Sequence, residues 1–130
     1  MSYILLAEDD RSLQFLVQRK LEQEGYTIRC IENGAEALAQ ALRERPALLL
    51  LDIGLPEVTG FEICRAVKQH YGVQAPPILI ISTNGQDSDV EAAEDIGADD
   101  YLIKPFSLRD LAERVRDFLG GAQPRQSYSM

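Results

Sequence analysis

Carboxylates, hydroxyls and one ammonium recur at four places in this sequence, each directly after a short apolar run. They are Glu8-Asp9-Asp10, Asp52, Ser82-Thr83-Asn84 and Lys104-Pro105. If the runs lie side by side as parallel strands, these groups end on one rim, where open parallel sheets bind their ligands. Carboxylates crowded together repel, and their pKa values rise unless a cation neutralises them. Hard oxygen ligands favour Mg2+, which takes one or two protein carboxylates, keeps several waters, and so leaves room for phosphate oxygens. Lys104 and Ser82 or Thr83 are suitable donors to a phosphoryl group. A carboxylate can itself be the nucleophile and form an aspartyl phosphate. Catalysis is then mostly positioning and charge neutralisation. Asp10 fits two readings, a cap for the helix that follows it or a member of the acidic site.

The elements that must position these groups alternate along the chain. Tyr3–Ala7, Ala47–Leu51 and Ile78–Ile81 are continuous apolar runs, as strands buried on both faces should be. Tyr26–Cys30 is rich in strand formers, and Tyr101–Ile103 is a last short strand. Residues 11–24 place Leu13, Leu16, Val17 and Leu21 at helical spacing before Gly25. Asn33-Gly34 opens a helix with Ala35, Leu38, Ala41 and Leu42, stopped before Pro46. Thr59 with Glu62 reads as a capping box for a helix that buries Phe61, Cys64 and Val67. Residues 88–96 predict a weak helix with only Val90, Ala93 and Ile96 to bury, which Ser88 and Glu91 are placed to cap. Ser107 with Asp110 caps a strongly amphipathic helix bearing Leu108, Leu111, Ala112, Val115, Phe118 and Leu119. Five strands and five helices in strict alternation specify an α/β domain, a parallel sheet with helices on both faces.

The chain has 130 residues, 13 basic against 21 acidic, and a formal net charge of −8. That length sets one domain, with a core large enough to need no disulfide or structural metal. The acidic balance argues against nucleic acid and anionic membrane as partners, since both need basic surface. No apolar stretch approaches the ~20 residues of a membrane helix, and no signal peptide is visible. Cys30 and Cys64 form no CxxC and read as apolar fillers in a reducing compartment, so the cytoplasm is the expected location. His70, the one histidine, has no partner for a metal site and reads as a solvated helix-end residue. Residues 120–130 (Gly, Pro, Gln, Ser) read as a flexible tail or the start of a linker after a domain at 1–119.

Four segments together carry a resemblance: Ile4-Leu-Leu-Ala-Glu-Asp-Asp10, Leu51-Asp-Ile-Gly-Leu-Pro56 with Gly60-Phe61, Ile80-Ile-Ser82, and Gly97-Ala-Asp-Asp-Tyr-Leu-Ile-Lys-Pro-Phe106. In that order, each at the end of a buried strand, they resemble the receiver domain of two-component response regulators over residues 3–119. The resemblance implies a single doubly wound (βα)5 domain with flavodoxin-like strand order 2-1-3-4-5. It implies that Asp52 is the phosphoacceptor, taking a phosphoryl group from a phosphohistidine on a sensor histidine kinase or histidine phosphotransfer protein. Glu8, Asp9, Asp52 and the backbone carbonyl of Gly54 match the Mg2+ ligands, with Asp9 the direct acidic one. Ser82 matches the switch hydroxyl, Tyr101 the switch aromatic, and Lys104 the lysine of the site, with the Lys104-Pro105 peptide cis. Thr83, Asn84 and Pro105 flank the phosphate. Two departures stand out: Glu8 replaces a commoner aspartate, and Thr83 stands where a small alanine is common.

The implied role is a phosphorelay switch rather than an enzyme, although such a domain assists its own phosphorylation and dephosphorylation. Phosphorylation would reshape the face built from the fourth helix, fifth strand and fifth helix. That face would control an attached output domain or a downstream protein, and is the candidate surface for a homodimer. The sparse core of the fourth helix suits a movable element. Other readings fare worse. A Mg2+ phosphohydrolase with an aspartyl nucleophile usually carries a second acid two residues on, where this chain has Gly54. A flavodoxin-like cofactor binder needs a Ser/Thr/Gly-rich phosphate loop after the first strand, where this chain has three acids. An interaction module without phosphorylation would have no use for the full residue set.

Overall fold

Period-two alternation decides the layers. The computed structural model describes residues 2–83 and 87–120, with the backbone alone at 87–90. Its strands are β1 (Ile4–Ala7), β2 (Ile28–Ile31), β3 (Leu48–Asp52), β4 (Ile78–Ser82) and β5 (Asp100–Ile103). Its helices are α1 (Arg11–Gln23), α2 (Gly34–Arg43), α3 (Gly60–Tyr71), α4 (Asp87–Asp95) and α5 (Leu108–Leu119), with a 3-10 turn at Gly72–Gln74. The strands form one parallel sheet in the order β2-β1-β3-β4-β5. Both the alternation and the strand order are those expected.

Successive residues of a strand point to opposite faces, so β1, β3 and β4 feed two cores at once. Leu5, Ala7, Leu49, Leu51, Ile78 and Ile80 pack with Ala37 and Ala41 of α2, Ile63, Cys64 and Val67 of α3, and Ala93 of α4. Ile4, Leu6, Leu48, Leu50, Leu79 and Ile81 pack with Val17 and Leu21 of α1 and Leu111, Ala112 and Val115 of α5. This explains why those strands read as unbroken apolar runs: neither face meets water.

The helix ends follow their side-chain signals. Thr59 and Glu62 form a reciprocal capping box on α3. Ser107 accepts from the Asp110 amide at 2.9 Å to start α5, and Asn33 accepts from the Glu36 amide at 3.0 Å to start α2. Boundaries shift where pairing overrides composition. β2 was expected at 26–30 and runs Ile28–Ile31, because its ladder with β1 opens at the Ile4–Ile28 pair. α4 starts one residue before the expected position and ends one earlier. Its described side chains bury little beyond Ala93, with Ile96 half-buried. The Ser88 and Val90 side chains fall outside the described residues. Leu16 was expected in the stripe of α1 and is 46% exposed, because Leu13, Val17 and Leu21 take the side facing the sheet. Ala35 likewise faces outward, while Ala37, Gln40 and Ala41 turn inward. Both cysteines are free thiols, and His70 is exposed at the end of α3.

Candidate functional site

The parallel register brings the expected groups to one edge. Ala7 pairs with Leu51, Asp52 with Ile81, and Ser82 with Ile103. Glu8, Asp52, Ser82 and Lys104 therefore sit at or just beyond the carboxyl ends of four adjacent strands. Backbone bonds hold this edge together: the Lys104 amide donates to the Ser82 carbonyl at 2.7 Å, and the Ile53 amide to the Ile81 carbonyl at 3.2 Å.

Lys104 is the centre of the charge arrangement. Its Nζ lies 2.9 Å from Asp52 Oδ2, as a hydrogen bond, and 3.0 Å from Glu8 Oε1. Burial alone would lower the pKa of this ammonium, but contact with Asp52 and Glu8 outweighs it and holds Lys104 above its ordinary value. Glu8 is fully buried. Its Oε2 accepts from the Asp10 amide at 3.0 Å. Its Oε1 is paired with Lys104 in charge, at an angle that makes no hydrogen bond. Burial pushes the Glu8 carboxyl up, more than the Asp10 amide and Lys104 lower it.

Asp52 is nearly buried, with the Gly54 amide donating to Oδ1 at 2.9 Å. Asp9 is exposed. Carboxylate oxygens of Glu8, Asp9 and Asp52 all lie within 4.8 Å of one another. Three carboxylates thus face a single ammonium, a deficit of positive charge that a small divalent cation suits. The buried Oε1 of Glu8, without a hydrogen bond, is a further oxygen such an ion could satisfy.

Asp10 resolves to the structural reading. Its Oδ1 accepts from the Ser12 and Leu13 amides at 2.9 and 3.2 Å, the geometry of an N-cap on α1. The three acids whose oxygens gather at the rim are Glu8, Asp9 and Asp52. Ser82 is buried at the end of β4, and Thr83 next to it is exposed. Tyr101 is half-buried and packs with the core that holds Ile80, Ala93, Ile96 and Ala98. The Lys104-Pro105 peptide is cis, as expected, with Pro105 exposed. Asn84 lies outside the described residues.

One contributor was not legible beforehand. Gln14 on α1 donates from Nε2 to the Glu8 carbonyl. Its only sequence signal is a polar residue beside the buried stripe of Leu13 and Val17.

Comparison with known proteins finds relatives for the chain as a whole. The family model described as the response regulator receiver domain matches residues 4–116. A response regulator ArlR of Staphylococcus saprophyticus is 39% identical over 119 residues, covering 92% of this chain and 53% of the relative. The transcriptional regulatory protein GltR of Pseudomonas aeruginosa is 34% identical over 120 residues, covering 92% and 50%. This chain thus spans about half the length of the curated relatives it matches. Among solved structures, the receiver domain of the sensor histidine kinase PA1611 of Pseudomonas aeruginosa superposes with a TM-score of 0.82 at 28% identity, covering 92% of this chain and 98% of that one. That structure has a magnesium ion coordinated in its active-site cleft.

Proposed function

The chain belongs to the response regulator receiver domain family, and from that premise we propose that Asp52 accepts a phosphoryl group from a phosphohistidine. The donor is a sensor histidine kinase or a histidine phosphotransfer protein. One carboxylate oxygen of Asp52 attacks phosphorus, the P–N bond breaks, and its electron pair goes to the imidazole nitrogen, which takes up a proton from water as the neutral ring leaves. The observation that carries this reading is Lys104 Nζ held between Asp52 and Glu8 at the carboxyl edge of the sheet.

Glu8, Asp9, Asp52 and the Gly54 carbonyl are the residues that would hold Mg2+. Bound there, the ion supplies neutralisation of the charge on the phosphoryl oxygens. The chain's own groups do the rest. The Gly54 amide orients Asp52. Lys104, already at 2.9 Å from Asp52, and Ser82 receive the phosphoryl oxygens. Thr83, Asn84 and Pro105 border the phosphate. Tyr101 then turns inward, and the α4–β5–α5 face changes shape to control an output domain or a downstream protein. The few buried side chains described in α4 support such a movable face. The change is a population shift, so the unphosphorylated protein visits the active state as well. The same face is the proposed surface for a homodimer.

Residues 1–119 act as the receiver unit and 120–130 as the following tail or linker. No described helix is long and apolar enough to cross a membrane. Two free thiols support a cytoplasmic setting, where the kinase's phosphohistidine is found.

The test uses a small-molecule donor. Wild type and Asp52→Asn are incubated with Mg2+ and acetyl phosphate and examined by intact mass. Wild type should gain the mass of one phosphoryl group, labile to hydroxylamine, and Asp52→Asn should gain none. Wild type that stays unmodified with Mg2+ present would sink the reading.

A further inference from the structure

The loop between β3 and α3 has a strained backbone next to the phosphoacceptor. Glu57 sits at φ 71°, the one described non-glycine residue with a positive φ. The Val58 amide donates back to the Pro56 carbonyl at 2.9 Å. A bond across two residues around a positive φ marks the rare, strained form of the γ-turn. A glutamate has no intrinsic reason to adopt it, so the surroundings must hold it there.

Those surroundings are the first residue of α2. The Gly34 amide donates to the same Pro56 carbonyl at 3.3 Å. A Cβ at position 34 would stand 1.9 Å from the Val58 carbonyl oxygen, 2.8 Å from its carbon and 3.2 Å from the Pro56 oxygen. All three are backbone atoms, so any side chain at 34 would displace the turn itself. The far end of the loop is also closed, though less tightly. A Cβ at Gly60 would meet the Asp52 carbonyl oxygen and Ile53 Cα at 2.8 Å each. Between the two closures, Leu55 is buried in the core that includes Ala37 of α2. Gly54, next to Leu55, holds Asp52 Oδ1.

We infer that Gly34, outside every motif of the site, is a positioning residue for the phosphoacceptor. Its bare Cα lets α2 seat the Pro56–Val58 turn, and that seat sets where the Gly54 amide meets Asp52. The inference rests on the reading of Asp52 as the phosphoacceptor.

Gly34→Ala is compared with wild type and with Gly25→Ala, at temperatures where each is folded. Gly25 has a positive φ of 97° but no heavy atom within 4 Å of its would-be Cβ, so its change strains backbone without touching the loop. Two quantities are read: the NMR shift of the Gly54 amide proton in metal-free protein, and the rate of Asp52 labelling by acetyl phosphate with Mg2+. Gly34→Ala should move the Gly54 amide and slow labelling about ten-fold or more, since misplacement by ~1 Å costs up to ~100-fold. Gly25→Ala should lose stability while keeping both readouts at wild-type values. A Gly54 amide unmoved in Gly34→Ala overturns the inference whatever the rate. If wild type itself is not labelled, the phosphoacceptor reading fails, and the Gly54 shift still decides the role of Gly34. Should Gly34→Ala not fold, hydrogen exchange in wild type decides. Loading with Mg2+ and beryllofluoride should slow exchange of the Gly34 amide about ten-fold relative to the Gly25 amide, because coupling between two sites is reciprocal. An unchanged ratio overturns the inference.

Discussion

Lys104 and Glu8 form an ion pair at 3.0 Å in which the carboxylate is wholly buried and the ammonium is shared with Asp52. Without a metal, this one cation holds two acids of the site together. Lys104→Met keeps the aliphatic stem and removes the charge, leaving Glu8 and Asp52 facing each other. Breaking a fully buried pair costs ~3–5 kcal/mol, and the partial exposure of Lys104 places the loss nearer ~2–3 kcal/mol. Urea denaturation in metal-free buffer measures it. Saturating Mg2+ should then return more stability to Lys104→Met than to wild type, because the variant's site lacks its own cation. Equal losses with and without Mg2+ would show that Lys104 is not the cation the metal supplements.

Asp10 caps α1. Its side chain accepts from two α1 amides, those of Ser12 and Leu13. Asp10→Ala should lower stability by ~1 kcal/mol through loss of the cap. The backbone amide that serves Glu8 Oε2 survives this change. Mg2+ affinity, measured by titration, should therefore stay within roughly two-fold of wild type, since a cap acts on the helix end alone. A loss of ten-fold or more would return Asp10 to the site.

These two residues also show where sequence reading ends. The strands were legible because β1, β3 and β4 are buried on both faces, which leaves only unbroken apolar runs such as Leu48–Leu51. With the strands placed, Asp52, Ser82 and Lys104 followed as the groups just past them. Asp10 stayed open, because a carboxylate beside an acidic pair and before a helix suits both roles. Leu16 was misplaced since helical spacing alone does not say which of two neighbouring apolar positions meets the sheet. The seat of the Pro56–Val58 turn on Gly34 was invisible. It depends on a backbone approach between residues more than twenty positions apart, and glycine beside Asn33 already had a local explanation as a helix start.

Gln14 acts on the site through the backbone. Its Nε2 donates to the Glu8 carbonyl, and Glu8 is the buried acid that faces Lys104. Gln14→Ala removes this donor and frees the segment between β1 and α1. The loss of one such bond costs ~1–2 kcal/mol. Mg2+ affinity should fall several-fold at a temperature where the variant is folded, as misorientation of a ligand's support typically costs ~10-fold or more. Thermal melting and Mg2+ titration separate the two effects. An unchanged affinity beside a lowered melting point would confine Gln14 to a structural role.

Cys64 gives a pH dependence far from the site. The thiol is fully buried on α3, with Sγ 3.8 Å from the Ile96 carbonyl. Burial pushes it up to about 11, with Lys68 lowering it and Asp99 raising it. Cys30 is half-buried and also raised by burial. The thiolate is the reactive form, so a disulfide-exchange reagent near neutral pH should label Cys30 in the native protein well before Cys64. The stability effect has a definite sign. In the unfolded chain the thiol titrates near 9, so as pH rises the unfolded state loses its proton first. The contribution of Cys64 is whole below pH 9 and is lost as pH climbs to about 11. Cys64→Ala removes that contribution while every other titrating group remains. The stability gap between wild type and variant, read from urea midpoints, should be widest below pH 9 and narrow steadily towards about 11. A gap that stays constant across this range would mean that the folded thiol is not held protonated by its burial.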